Sequence, residues 1–388
     1  MRVLVAFDKF KDALTAAAAC AAVTAALRAK HPDWMLDVCP LTDGGEGFGE
    51  TLTSAARGRL QPCDVTGPRG AVVPAPLGIV SGANLPAIVR QRLGLATEDT
   101  LAVVGMAAAS GLELIALGQR DPWQTTSRGT GELLAAAAAQ AGAGAILLGV
   151  GGSATNDLGL GALAALGFRF LDAANATIAL PTPATWARIQ CIDRSGASKL
   201  PPVFIACDVT NPLLGPRGAT TIFGLQKGLQ PEDSPRLEAQ VARIAALLCD
   251  ACGQPHSLAD TPGAGAAGGF GFGLMVAYGA NLVPGFDLVS DWLDLPARLA
   301  TADLVLTGEG RFDATSLGGK GPGRLVAEAR RLGKPVHVFA GSLGLPARSG
   351  VDGAADDQLH AITPAGLPLA DALPRTAELL AATVSRVL

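Results

Sequence analysis

Histidine is scarce in this chain: four among 388 residues, at His31, His256, His337 and His360, each isolated in sequence. A mechanism built on imidazole has little to draw on, and His337, inside an apolar run, reads first as a core residue. Charge is also sparse. Charged residues make up 16% of the chain, the net charge is -4, and no Lys/Arg block is present to follow a phosphate backbone, which argues against a nucleic-acid partner. No apolar run reaches the roughly 18 residues of a membrane span, so no membrane association is expected. The start, MRVLVAFDKF, meets charge at Asp8 without the apolar region of a secretory signal. The seven cysteines are an odd number in a chain long enough for a sizeable core, and stability calls for no disulfide framework. Cys249 and Cys252 form a lone CxxC, weaker as a zinc site than as two unpaired helix-end thiols. The expectation is a cytoplasmic enzyme of about two domains.

Familiar nucleotide and hydrolase signatures are missing too. The nearest approach to a P-loop, Ala314 to Gly321, has Ala in place of the first glycine and Gly after Lys320. No G-x-S-x-G elbow is present. Gly149 to Ala154 does satisfy a loose G-x-G-x-x-A pattern after a strand-like run, with Asp172 about 20 residues on. That pattern supports, as the alternative function, an NAD(P)-dependent oxidoreductase acting on a small hydroxy acid. Against it, Thr155-Asn156-Asp157 is polar for a helix packed beneath a pyrophosphate.

What is present is a repeated motif of apolar strand, Gly-rich or charged loop, and helix. The clearest case is Ala145 to Gly159, AILLGVGGSATNDLG. Ile146, Leu147 and Leu148 read as a buried strand; Gly149, Gly151 and Gly152 allow a tight turn with exposed N–H groups, and Ser153, Thr155, Asn156 and Asp157 add polar side chains. The segment suits an anion or a metal; a glycine turn with helix-capping residues is the other reading. Arg2–Phe7 and Met35–Cys39 end the same way, at Asp8 and at Asp43-Gly44-Gly45-Glu46-Gly47. So do Pro202–Ala206, at Asp208, and Leu304–Thr307, at Glu309 and Asp313. Asp208 is a candidate magnesium ligand, with an Asx turn as the alternative. The Thr/Ser/Gly cluster 125–131 precedes a helix expected over Glu132–Ala141, and the glycine-dense run 263–269 leads into one over Phe270–Ala280 against a ligand or another backbone. Turn-rich sequence from Cys63 to Gly67 marks a domain boundary.

Both termini carry the strand-to-loop pattern. The expected fold is α/β: a Rossmann-like parallel sheet domain formed by both chain ends (1–65 and 285–388), with an inserted second α/β domain (66–284) and an interdomain cleft. Carboxylates at strand ends, interleaved with Lys11, Lys320, Arg128 and Arg311, suit phosphoryl transfer. Magnesium takes oxygen ligands, while cations and backbone N–H groups neutralise the transferred oxygens.

At these residues the chain resembles the glycerate kinase family of the bacterial type-one class. The segments that carry the likeness are FKDALTA (10–16), DGGEG (43–47), VTGP (65–68), MAAASGLEL (106–114), TTSRGTGEL (125–133), GVGGSATND (149–157), ACDVTNPLLG (206–215), FGLQKG (223–228), GAGAAGGFG (263–271), and TGEGRFD from 307 with Gly319-Lys320. They cover nearly the whole chain in order. The resemblance implies a cytoplasmic, magnesium-dependent enzyme that transfers the γ-phosphoryl group of ATP to D-glycerate, at the 2-hydroxyl. A homo-oligomer stays open. In this setting Asp8 or Asp43 is expected to accept the hydroxyl proton, and Lys11, Arg128 and Lys320 to neutralise phosphate or carboxylate. Asp208 and Asp313 are expected to hold magnesium, and Gly151, Gly152, Ser153, Thr155, Asn156 and Glu309 to line the nucleotide side. The chain departs from the family pattern at Lys9, Ala13, Phe48, Gly105, Leu158, Leu225 and Thr315, and Ser81–Asp99 is longer than usual.

Overall fold

The structure, a computed structural model, describes residues 1–140, 142–317, 321–344 and 358–388. The chain forms two compact units, Met1–Asp43 with Val289–Leu388, and Gly44–Leu288.

The first unit holds a five-stranded parallel sheet in the order Gln358–Ala361, Val336–Leu343, Leu304–Phe312, Arg2–Phe7, Met35–Val38. Val3 to Phe7 are all fully buried, which is why this strand reads as an unbroken apolar run: a parallel strand is covered on both faces. After it, the Thr15 hydroxyl accepts from the Ala18 N–H at 3.1 Å and starts the helix Ala16–Lys30, which packs against the last helix, Thr376–Val387. Strand order reverses beside Arg2–Phe7, with Met35–Val38 on one side and Leu304–Phe312 on the other. Asp8, just past the end of its strand, and Glu309, just past the Phe7–Gly308 register pair, therefore flank the point where an open α/β sheet receives ligands. The strand from Leu304 runs past the apolar segment as far as Phe312. Glu309 pairs with Ala340 and Arg311 with Ser342, so backbone pairing carries these polar residues into the sheet rather than a loop.

The second unit holds a six-stranded sheet in the order Asn281–Val283, Val203–Ala206, Ala143–Gly149, Thr100–Gly105, Val72–Ser81, Arg59–Thr66. The first four are parallel, and the last two add an antiparallel hairpin. The turn-rich stretch after Cys63 is the tip of that hairpin, closed by the Gly67 N–H on the Ala71 carbonyl at 2.6 Å. A helix covers Arg128–Ala138, beginning earlier than the sequence suggests, because the Ser127 N–H is taken up by the distant Asp157 carboxylate at 2.7 Å. The run 263–269 is occupied as one of its two readings anticipated, by another backbone. Ala267, Gly268 and Gly269 are left-handed, and a Cβ on Gly268 would stand 2.2 Å from the Thr155 carbonyl oxygen.

Gly308 makes the tightest approach in the first sheet: a Cβ there would lie 1.8 Å from the Phe339 carbonyl oxygen. Gly308→Ala is expected to cost about 1–3 kcal/mol of stability through overpacking. Gly118→Ala, with open space at that position, is expected to change stability little. Urea unfolding of the two variants checks this.

Candidate functional site

The first unit gathers carboxylates at its switch point. Asp8, 4% exposed, accepts from its neighbour's backbone, Lys9 N–H to Oδ1 at 2.7 Å, and its own N–H donates to the Gly308 carbonyl at 3.0 Å. The Lys9 ammonium donates to Asp43 Oδ1 at 3.1 Å and stands 3.9 Å from Asp8 Oδ1. Burial pushes the Asp8 carboxyl from 3.8 up to about 7, helped by the charges of Asp43 and Glu309 and opposed by Lys9 and its N–H. Asp8, Asp43 and Glu309, read separately at three strand ends, thus act on one another. Lys11 follows on the same loop, and Gly310 passes close to it: a Gly310 Cβ would lie 3.0 Å from the Lys11 N. Asp313 is paired with Arg311 at 3.0 Å. Lys320 lies outside the described residues.

In the second unit the polar residues after Ala143–Gly149 close on themselves. Asp157 is fully buried, and its carboxylate accepts from Ser127 N–H and Oγ–H at 2.7 Å each, Gly159 N–H at 3.1 Å and Gly161 N–H at 3.2 Å. Burial nevertheless holds this carboxyl above its ordinary value. Lys227, 2% exposed, donates to Ser153 Oγ at 3.0 Å and to the Thr155 carbonyl at 2.5 Å. Burial lowers its ammonium to about 7, against the pull of Asp157. Asn156 Nδ2 donates to Thr220 Oγ1 at 3.4 Å, whereas Asn156 Oδ1 and Thr155 Oγ1 are buried without a hydrogen-bond partner.

The remaining expected residues have identifiable surroundings. Space that side chains at Gly149, Gly151 and Gly152 would need is taken by the Phe48 ring, the Gly45 backbone and the Glu46 carboxylate, at 2.5, 2.8 and 2.3 Å from the respective Cβ positions. These glycines bed the strand end against the segment 44–48, and the Gly151 N–H donates to the Gly44 carbonyl at 2.8 Å. Asp172, which the oxidoreductase alternative needs at a ribose, accepts from Ala174 and Ala176 N–H in its own turn and pairs with Arg188 at 3.1 Å. Arg128 Nε donates to Glu132 at 3.0 Å, and Glu132 also accepts from the Thr66 N–H and hydroxyl at 2.7 and 2.9 Å. Both Asp208 oxygens stand 3.0 Å from the Phe286 N–H, at the start of the helix Gly285–Trp292. His337 Nδ1 meets His360 Nε2 at 3.1 Å within the parallel sheet. Among the described residues no group of three or more His, Cys, Asp or Glu is arranged to hold a metal, Cys249 and Cys252 included.

Three participants carry no sequence signal of their own. Lys227 stands in FGLQKG without a charged neighbour, Glu132 is one acidic residue in an alanine-rich helix, and Lys9 looks like a solvated charge beside Asp8. Only the spacing of Arg128 and Glu132, one helical turn apart, hinted at a pair.

Comparison with known proteins identifies the family of the chain. The family model described as "Glycerate kinase family" matches residues 3–388. The chain is 38% identical over 386 residues to the glycerate kinase of Bacillus subtilis, covering 99% of this chain and 96% of that one. It is 39% identical over 360 residues to the glycerate 2-kinase of Escherichia coli, covering 91% and 89%. A crystal structure described as a glycerate kinase 2 from Salmonella typhimurium LT2 matches with a TM-score of 0.74 and 39% identity, over 100% of this chain and 97% of that one. With the dehydrogenase-like loop packed against protein and Asp172 held in its own turn, the chain belongs to the glycerate kinase family.

Proposed function

We propose that the two units serve as the two domains of the enzyme and that the residues above divide its work as follows. The protein is an ATP- and magnesium-dependent kinase that phosphorylates D-glycerate to 2-phosphoglycerate. The observation that carries the assignment of roles is Asp8, a buried carboxyl near 7 beside a second carboxylate paired with a lysine. A general base works best with a pKa near the operating pH. Asp8 accepts the proton of the glycerate 2-hydroxyl as that oxygen meets the γ-phosphoryl group, and Asp43, anchored by Lys9, orients the hydroxyl. Lys11, Arg128 and Lys320 neutralise phosphate and carboxylate charge. Gly151, Gly152, Ser153, Thr155, Asn156 and Glu309 line the nucleotide side.

The donor set fits magnesium and nucleotide. Magnesium with a nucleotide takes one or two carboxylates and keeps water and phosphate oxygens, and Asp208 and Asp313 are the carboxylates in this proposal. A buried Thr155 hydroxyl without a protein partner suits a phosphate oxygen. What magnesium would supply there is polarisation of the transferred phosphoryl group. A cytoplasmic setting accords with seven unbridged cysteines.

With Mg-ATP and D-glycerate, acceptor-dependent ADP release is expected, with the product phosphorylated at the 2-position, and with none from L-glycerate or lactate. Asp8→Asn is expected to lower kcat by about a hundredfold or more while the KM for ATP stays near wild type. A wild-type kcat in this variant removes Asp8 from the base role.

The same carboxyl makes stability depend on pH. Asp8 binds its proton more tightly in the folded chain, at about 7, than at its ordinary 3.8. The stability it contributes is therefore complete below about pH 4 and is lost as the pH rises through about 7. The melting temperature of Asp8→Asn relative to wild type is expected to climb between these values and level off above them. A flat difference in differential scanning fluorimetry contradicts the burial of a titrating Asp8.

A further inference from the structure

We infer that Lys227 is a positioning residue that presents the Ser153 hydroxyl to an anionic oxygen of a substrate, an inference that rests on the kinase reading above. Lys227 ends the short turn Leu225–Lys227, and Gly228, at φ 92°, turns the chain away behind it. Its ammonium is buried and makes two directed contacts, to Ser153 Oγ and to the Thr155 carbonyl. An ammonium has donors only. When Lys227 is protonated, Ser153 accepts from it with a lone pair, which leaves its own O–H to be donated elsewhere, polarised by the cation behind it.

The surroundings favour a ligand over a simple tether. A buried charge is costly unless paired and fully hydrogen-bonded. Asp157, the carboxylate that faces Lys227 electrostatically, already accepts from four donors of its own. The chain between them, Thr155-Asn156, holds two buried polar atoms, Thr155 Oγ1 and Asn156 Oδ1, with no hydrogen-bond partner. Lys227 touches Ser153 Oγ, and Thr155 Oγ1 lies two residues further along the same strand-end segment without a hydrogen-bond partner; these are the proposed donors toward an anionic oxygen. The reaction offers two sources of one, the carboxylate of glycerate and a phosphate of the nucleotide.

Steady-state kinetics of Ser153→Ala and Lys227→Met, with each substrate varied at saturating levels of the other, separate these sources. Each variant is expected to raise the KM of one substrate on the order of tenfold or more and leave that of the other within about twofold. A shift confined to D-glycerate identifies the carboxylate, and one confined to ATP the phosphate. The double variant is expected to lose no more than the worse single one, since the two side chains act as a unit. If Lys227→Met does not fold, Ser153→Ala alone still decides. Unchanged KM values for both substrates, or equal rises in both, overturn the inference and leave Lys227 as a tether between loops. Absence of acceptor-dependent ADP release in the wild-type protein, by contrast, defeats the kinase reading itself.

Discussion

A carboxylate sealed from water organises the second unit. Asp157 has no exposed surface, so in place of hydration its oxygens need protein donors, the two from Ser127 short at 2.7 Å. Supplying them constrains three stretches of chain at once. Ser127 must lie at the head of the helix Arg128–Ala138, Gly159 must turn left-handed at φ 73°, and Gly161 must come close enough that a Cβ would stand 2.2 Å from Thr126 Oγ1. The Ser127 hydroxyl, having donated to Asp157, accepts from the Ala162 N–H at 3.1 Å, so the next helix is tied into the same knot. Removal of one member would strand a buried charge, which is far more damaging than the net worth of the pair. The loop 149–157 is thereby held rigid, and phosphoryl transfer relies mainly on positioning.

The first unit solves the opposite problem. There the register of adjacent parallel strands, Phe7 beside Gly308, brings Asp8 and Glu309 to one level, and Asp43 arrives after the strand on the other side. Like charges crowded together repel, and among the described residues Asp8 accepts from the Lys9 N–H, where Asp157 has four donors. Lys9 compensates in part, through its ammonium on Asp43 and its N–H on Asp8. The result is a carboxyl that ionises near neutrality at the expense of stability, as groups that exchange protons at active sites often do. Burial raises both carboxyls, and the two differ in their surroundings: Asp157 is met by four donors, Asp8 by its neighbour's N–H and by the charges of Asp43, Lys9 and Glu309.

How much of this was legible follows from the range of the interactions. Strands such as Arg2–Phe7 and Ala143–Gly149 announce themselves as apolar runs, and their ends mark Asp8 and the polar loop after Gly149, because burial patterns are local. The parallel sheet made from both chain ends was readable as a repeated motif. Register was not: nothing in TGEGRFD says that Glu309 pairs with Ala340, so residues placed in a loop turned out to extend a strand. The start of the helix at Arg128 was misjudged for a similar reason, since its cap comes from Asp157, 30 residues away in the chain. Lys227 was opaque altogether. A buried lysine looks in sequence like an exposed one, and its contacts lie 74 and 72 residues away.

These long-range contacts also explain why a chain so poor in charge can host charge-dependent chemistry. With 16% charged residues, little is available for a solvated polar surface around a site. The second unit instead commits Lys227 and Asp157 to its interior, where a lower dielectric strengthens each interaction and exacts a desolvation cost in return. That cost is met on folding, before any substrate arrives. Under the proposed role of Ser153, its donors would not have to reorient as charge develops on a bound oxygen, which is the condition under which fixed dipoles stabilise a transition state better than water does.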